Sequence, residues 1–319
     1  GGRRLRMMSW GPRSSAYRRA LAARAEADVI AAAPLPTLNV FYAWRAARRT
    51  GRPFVVVPCF HTEDAYAFHN PLHYRILRDA DAVIALSGSE KEFLCRVTGL
   101  DPARVRVLGA GIDLETGTPG TDVRSKYGIK ERHVVLFLGQ HGAHKGILDL
   151  LRAMREVWKE RPDAALVIAG NPTAHTAEIE KSIAGLADEE RARVRLVRSV
   201  PEAEKTAFYR AADLFVSVSP FESFGIVYLE AWREKLPVIG CRRGAAAGLI
   251  EEFRDGLVVH DGNPAELAGA IAELLGDDDA RRRMGEAGYR KVEDKYRWEA
   301  IIDRWEAIYH EILEKRRPA

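Results

Sequence analysis

The chain has 319 residues, 49 of them Lys or Arg and 45 Asp or Glu, for a formal net charge of +4. That length suits two domains with separate cores, and an apolar share of 47% with 29% charged excludes a disordered or low-complexity chain. The charge is too mild and dispersed to point to nucleic acid. Cys59, Cys95 and Cys241 are far apart, odd in number and without metal spacing, so they read as reduced thiols of a cytosolic protein. No run reaches the length of a membrane span or forms the apolar core of a signal peptide.

The opening residues, GGRRLRMMSWGPRSS, are basic and do not begin with Met, so the chain is expected to start inside a longer protein. An Ala/Arg-rich helix is predicted over 15–27, then a strand at Asp28-Val29-Ile30. Helices at Leu38 to Arg49, ending at Ala80 and over Ser89 to Thr98 alternate with strands at Phe54 to Val57, Ala82 to Leu86 and Val105 to Leu108. This alternation means parallel βαβ units, a short Rossmann-like half. Arginines on these first helices offer a face to anionic lipid, although a solvated helix face is the simpler account.

A Gly- and Thr-rich stretch follows from Gly109, with the linker at 113–130 between an N-terminal domain, 1–112, and a second domain, 131–295. Strands are predicted at His133 to Leu138, Ala164 to Ala169, Arg193 to Val197, Leu214 to Val218, Val238 to Gly240 and Leu257 to Val259. Helices close the chain at Pro264 to Leu275, Asp279 to Tyr296 and Trp298 to Lys315. The apolar face of the last, with Trp305, Ile308 and Tyr309, fits either a terminal core helix or a strap over 296–319 returning to the N-terminal domain.

Chemistry concentrates in DLFVSVSPFESFGIVYLEAWRE, Asp213 to Glu234. A buried strand runs into the polar loop Ser219 to Ser223, and a helix is predicted from about Phe224-Gly225 to Glu234. In open α/β sheets ligands bind at this kind of junction, where loop backbone and a helix N-terminus converge. Glu222 before the helix and Glu230 within it stand up to roughly 12 Å apart along the axis. Helix N–H groups suit a diphosphate, and carboxylates suit the hydroxyls of a sugar and a ribose at its two ends. Taken singly, Glu222 also fits an N-cap-region acid favoured by the helix dipole, and Glu230 a solvated helix residue. The second loop, Gly139-Gln140-His141-Gly142-Ala143-His144-Lys145-Gly146, joins a strand to a helix. Its glycines permit close backbone approach to phosphate, and Lys145 adds a positive charge.

Glu222-x7-Glu230, with Ser223-Phe224-Gly225 after the first Glu, resembles the E-x7-E motif of glycosyltransferase family 4. These are retaining enzymes of the GT-B fold. The resemblance implies an α/β fold of two Rossmann-like domains with parallel sheets facing a central cleft. It also implies a nucleoside-diphosphate sugar donor and no metal for donor binding. The loop after Leu138 resembles the family's G-R-x4-K-G segment, with Gln140 where the family has Arg. His141 and His144 are alternative donors there, and plain loop histidines account for both more simply. The resemblance implies catalytic roles for His61, Lys145 and Glu222. It implies donor contacts at Gly139, Gln140, Lys145, Gly170, Ser223, Phe224, Gly225, Ile226 and Glu230, and a glycine loop at Gly244. Residues 197–200 beside Gly170 would offer backbone to the base.

The family's first strand and Gly-rich loop have no counterpart before Asp28. The implied N-terminal domain is therefore incomplete, with donor binding retained and transfer weakened. The acceptor is open among glycan, lipid-linked sugar and small molecule, and the implied location is cytoplasmic, including the inner face of the membrane. Two rival readings stand beside this one. The first is a non-catalytic nucleotide-sugar-binding protein, which the Gln140 departure fits. The second is a metal hydrolase using His61, Glu63 and Asp64, with His69 and His73 nearby, whose spacing matches no motif with a mechanism.

Overall fold

In the computed structural model, residues 14–23, 27–60, 69–116, 120–244 and 246–316 are described. The chain forms two compact units, one running through Ala110 and taking in the chain from Glu299 onward, the other Gly111–Trp298.

The first unit contains α1 (Ser15–Ala23), β1 (Ile30–Ala32), α2 (Leu38–Thr50), β2 (Phe54–Val56), α3 (Pro71–Asp79), β3 (Ala82–Ala85), α4 (Gly88–Thr98) and β4 (Val105–Val107). Its four strands pair in parallel in chain order, as single-direction βαβ winding requires. β2 and β3 are apolar and wholly buried, as expected of strands covered on both faces. Strand β1 lies two residues later than Asp28-Val29-Ile30, because Ile30 is the residue that pairs with Phe54. α2 turns Leu38, Val40, Ala43, Trp44 and Ala47 inward and ends where Gly51 adopts φ +68°. The start of α3 is set by its cap. The Asn70 side chain accepts the N–H of Leu72, and Pro71 occupies the first turn.

The second unit contains α5 (Val123–Lys126), β5 (His133–Leu138), α6 (Ile147–Glu160), β6 (Ala164–Gly170), α7 (Thr176–Ala184), α8 (Asp188–Arg191), β7 (Val194–Arg198), α9 (Lys205–Ala211) and β8 (Leu214–Ser217). It continues with α10 (Ile226–Arg233), β9 (Val238–Cys241), α11 (Ala246–Leu249), β10 (Gly256–Val259), α12 (Pro264–Gly276) and α13 (Asp278–Lys295). Its six strands run in the order β10-β9-β8-β5-β6-β7, all parallel. The order reverses between β5 and β8, so the loops leaving these two strands diverge there. That is the topological switch point where open α/β sheets hold ligands.

The last helix, α14 (Trp298–Lys315), packs Ile308 and Ile312 onto Val55, Ala82, Ile84 and Leu108 of the first unit's sheet. Arg106 reaches Glu311 at 2.6 Å and Arg316 reaches Asp81 at 2.7 Å on the same surface. Among the described residues no helix is long and apolar enough to cross a membrane.

Candidate functional site at the β5–β8 switch point

The switch point gathers the loops after β5 and β8. Gly146, at φ +70°, lies so close to Val218 that a Cβ would stand 2.5 Å from Val218 Cγ2 and 3.1 Å from its carbonyl oxygen. This close approach places Lys145 beside Glu222. Lys145 Nζ donates to Glu222 Oε1 at 2.5 Å, and both side chains are mostly covered, at 17% and 16% exposure. A charge-assisted bond that short between residues 77 apart in sequence is a feature of the folded loops alone.

The loop from β8 is fixed on both sides. Gly244, at φ +75°, backs onto Pro220, where a Cβ would lie 2.6 Å from the Pro220 carbonyl oxygen. The buried Tyr228 hydroxyl donates to the Ser217 carbonyl at 2.5 Å, and burial pushes that phenol well above its ordinary range, so it remains a donor. Gly225 caps α10 at φ +91°, its Cα facing the Tyr228 ring at a distance that leaves a Cβ 2.6 Å from a ring carbon. The helix therefore begins at Ile226, one turn-forming residue later than Phe224-Gly225. Phe224 is buried against the Tyr296 ring, 5.6 Å away between centroids, whereas Phe221 and Ile226 face outward. Ser223 is half-buried in the same loop. The first turn of α10, like that of any helix, presents backbone N–H groups beyond its own hydrogen-bond ladder.

Glu230 sits one helical stretch further on, half-buried. Tyr209 Oη donates to its Oε2 at 2.7 Å, and Lys205 Nζ stands 3.8 Å from its Oε1. Burial, then the Glu230 charge, raises the Tyr209 phenol well above its ordinary range, which keeps the proton on tyrosine. Tyr209 is a partner that motif reading misses, since it lies 21 residues upstream in another helix.

Beside β5, the loop after β6 is held by backbone proximity. Gly170 takes φ +142°, a conformation open to glycine, and a Cβ there would lie 1.8 Å from the Gly139 carbonyl oxygen. Gly139 N–H donates to Ala169 at 2.9 Å, and Ser199 N–H donates to Gly170 at 2.8 Å, tying the end of β7 to the same point. Gln140 is exposed, and His144 lies edge-on to Phe221 at 6.2 Å. His141 is fully buried. Its N–H donates to Asn171 at 2.9 Å, its carbonyl accepts from Thr173 Oγ1 at 2.6 Å, and its Nδ1 meets Thr176 Oγ1 at 3.4 Å. It latches the two loops together, and its burial, aided by the Arg198 charge, lowers its basicity. That burial argues against His141 as a surface donor in place of the arginine that Gln140 replaces.

His61, Glu63 and Asp64, and with them the expected catalytic histidine and these three residues of the metal-hydrolase reading, lie outside the described residues. Among the described residues no group of three His, Cys, Asp or Glu side chains is arranged to hold a metal ion.

The family model for glycosyl transferases group 1 matches residues 121–291, more than half of the chain, and the model for glycosyltransferase family 4 matches residues 2–116. The chain belongs to the glycosyl transferases group 1 family, and its fold is GT-B. It is 30% identical over 249 residues to the D-inositol 3-phosphate glycosyltransferase of Corynebacterium glutamicum, an alignment covering 75% of this chain and 59% of that protein. It is 27% identical over 221 residues to spore coat protein SA of Bacillus subtilis, covering 65% of this chain and 59% of that protein. The chain thus spans about three fifths of the length of these curated relatives. Among solved structures, the Anabaena Alr3699/HepE complex with UDP and glucose superposes with a TM-score of 0.76 at 19% identity, over 92% of this chain and 81% of that one. Sucrose-phosphate synthase from Thermosynechococcus elongatus gives 0.77 at 22% identity, over 96% and 81%.

Proposed function

We propose that this chain binds a nucleoside-diphosphate sugar at the β5–β8 switch point and transfers the sugar, with retention, to an acceptor hydroxyl. The observation that carries the reading is the Lys145 to Glu222 contact at 2.5 Å, one helical stretch from the Tyr209-bound Glu230. It puts a cation and one carboxylate beside the start of α10, with the second carboxylate, Glu230, inside that helix. A diphosphate is the stronger partner for Lys145. On binding it takes the ammonium from Glu222, which is then left to accept a sugar hydroxyl. The ribose hydroxyls fall to Glu230. As the sugar departs, negative charge grows on the diphosphate, and in this reading Lys145 and the first-turn N–H groups of α10 stabilise it. Donor binding without a metal ion rests on the family resemblance. Retention, a role for His61 and the identity of the acceptor rest on the family resemblance. The relatives' names put inositol phosphate acceptors and UDP donors first among probes.

Gln140 favours a second reading, donor binding without turnover, since an exposed neutral amide replaces a planar cation beside the diphosphate site. Calorimetric titration with UDP-, GDP- and ADP-sugars in the presence of chelator tests both. Saturable binding of one base class is expected. Transfer of labelled sugar to an acceptor selects the transferase, saturable binding without release of nucleotide selects the binder, and no binding of any donor overturns both.

A further inference from the structure

The first unit carries a surface that donor chemistry does not use. α1, α2 and α3 together hold seven arginines, all exposed, and a single acid, Asp79. That acid is already engaged, accepting from Trp44 Nε1 at 3.1 Å and lying 3.9 Å from Arg75. Contacts across α2 show that the three helices share one face. Arg18 of α1 lies over Tyr42 of α2 at 5.9 Å, and Arg75 of α3 lies over Trp44 of α2 at 5.8 Å. Within α2, Arg45 covers Phe41 and Arg48 covers Trp44. Four of the seven guanidinium groups, those of Arg18, Arg45, Arg48 and Arg75, thus stand over aromatic rings on exposed residues, and a guanidinium is a fork of paired donors that suits phosphate oxygens. Next to Phe41 and Arg75 the surface opens into a cavity of about 330 Å³ with apolar walls that include Leu35, Leu38, Leu72 and Ile76.

We propose that this α1–α2–α3 face docks the protein on an anionic lipid surface. The arginines meet headgroup phosphates, the half-buried Phe41 and Tyr42 lie at headgroup depth, and the cavity beside them receives apolar lipid atoms. Charge complementarity selects the occupant, since an almost acid-free cationic face backed by aromatic rings matches a leaflet that is negative outside and apolar beneath. The rings lie under the guanidinium groups instead of between them, so they offer no platform for nucleic-acid bases. None of these residues belongs to the β5–β8 site, so the inference stands independently of the sugar-transfer reading.

Flotation with phosphatidylcholine vesicles, with and without phosphatidylglycerol, tests it directly. The full chain is expected to float only with phosphatidylglycerol vesicles and to release as salt is raised. The triple variant R45Q/R48Q/R49Q is expected to lose partitioning by on the order of a hundredfold. A charge-matched control, R282Q/R283Q/R290Q on the exposed side of α13, keeps wild-type binding. Failure of the wild-type chain to float, equal binding to both vesicle types, or equal losses in the two triple variants would each overturn the proposal. A thermal melt of each variant checks folding. Were the α2 variant unfolded, R18Q/R78Q, which removes charge from the flanking helices alone, carries the same expectation at smaller size.

Discussion

The two units hold the loops at their strand ends by different physical means. In the second unit the loops after β5, β6 and β8 are fixed by backbone pressed on backbone, with Gly139 against Gly170, Gly146 against Val218 and Gly244 against Pro220. In the first unit the segment after β2 is held by a buried carboxylate. Glu90 accepts the N–H of Phe60 at 2.6 Å and of Leu86 at 2.7 Å while Ser87 caps the same helix turn. The first kind of fastening has no tolerance for an added methyl group and no sensitivity to protons. The second has the opposite profile, because burial pushes Glu90 up to about 7 against the pull of the surrounding N–H groups.

The sharpest way to break this comparison is Gly170→Ala. The methyl meets the Gly139 carbonyl at a φ closed to alanine, and a loss of about 4 kcal/mol in unfolding free energy is expected, with donor binding abolished in whatever remains folded. Denaturant unfolding gives the number, and a loss below about 1 kcal/mol would mean that the two loops separate easily.

Protons address the other unit. Glu90 rises from 4.5 when unfolded to about 7 when folded, so the folded chain holds the extra proton between those values and loses stability as pH climbs through that window. The linked loss is on the order of 3 kcal/mol. Glu90→Gln flattens this slope. It is expected to be less stable than wild type near pH 5, where it gives up a matched partner for one backbone N–H, and to close the gap above pH 7. Chemical denaturation across pH checks it, and an unchanged slope in the variant would remove Glu90 as its source.

A smaller effect runs the other way. His141 is lowered from its usual 6.5 by burial, so the unfolded chain takes up the proton first and stability is lost as pH falls below that value. His141→Asn keeps a short polar side chain near Thr176 and is expected to weaken the acid-side decline while leaving the alkaline side as it was. Melting temperatures at pH 5 and pH 8 separate the two.

The same contrast explains what the chain's sequence discloses. Most strands of the second unit are largely apolar runs, such as HVVLFL in β5, with VRLVR of β7 the exception, and their limits are read to within a residue or two. β1, with two alanines in three residues, has too little apolar contrast, and its register is decided by Phe54 across the sheet. Lys145, Glu222 and Glu230 stand out because loops after strands and helix starts have local signatures. The Tyr209 partner, the Gly139 to Gly170 contact and the Glu90 clamp are products of chain segments brought together by folding, and no local spacing announces them. His141 shows the limit most plainly. As a loop histidine among glycines it reads as a surface group, yet the neighbouring β6 loop buries it completely.

The central claim is that Glu222 and Glu230 serve the sugar and ribose ends of one ligand. Titration of the wild-type chain and of Glu230→Ala with UDP, in chelator, tests it most directly. The account predicts a loss of affinity for UDP of about tenfold or more in the variant, the worth of a hydrogen bond to a charged group, in a chain that still unfolds cooperatively at a melting temperature lowered by the loss of Tyr209's partner. Equal affinity of the two proteins for UDP would contradict it.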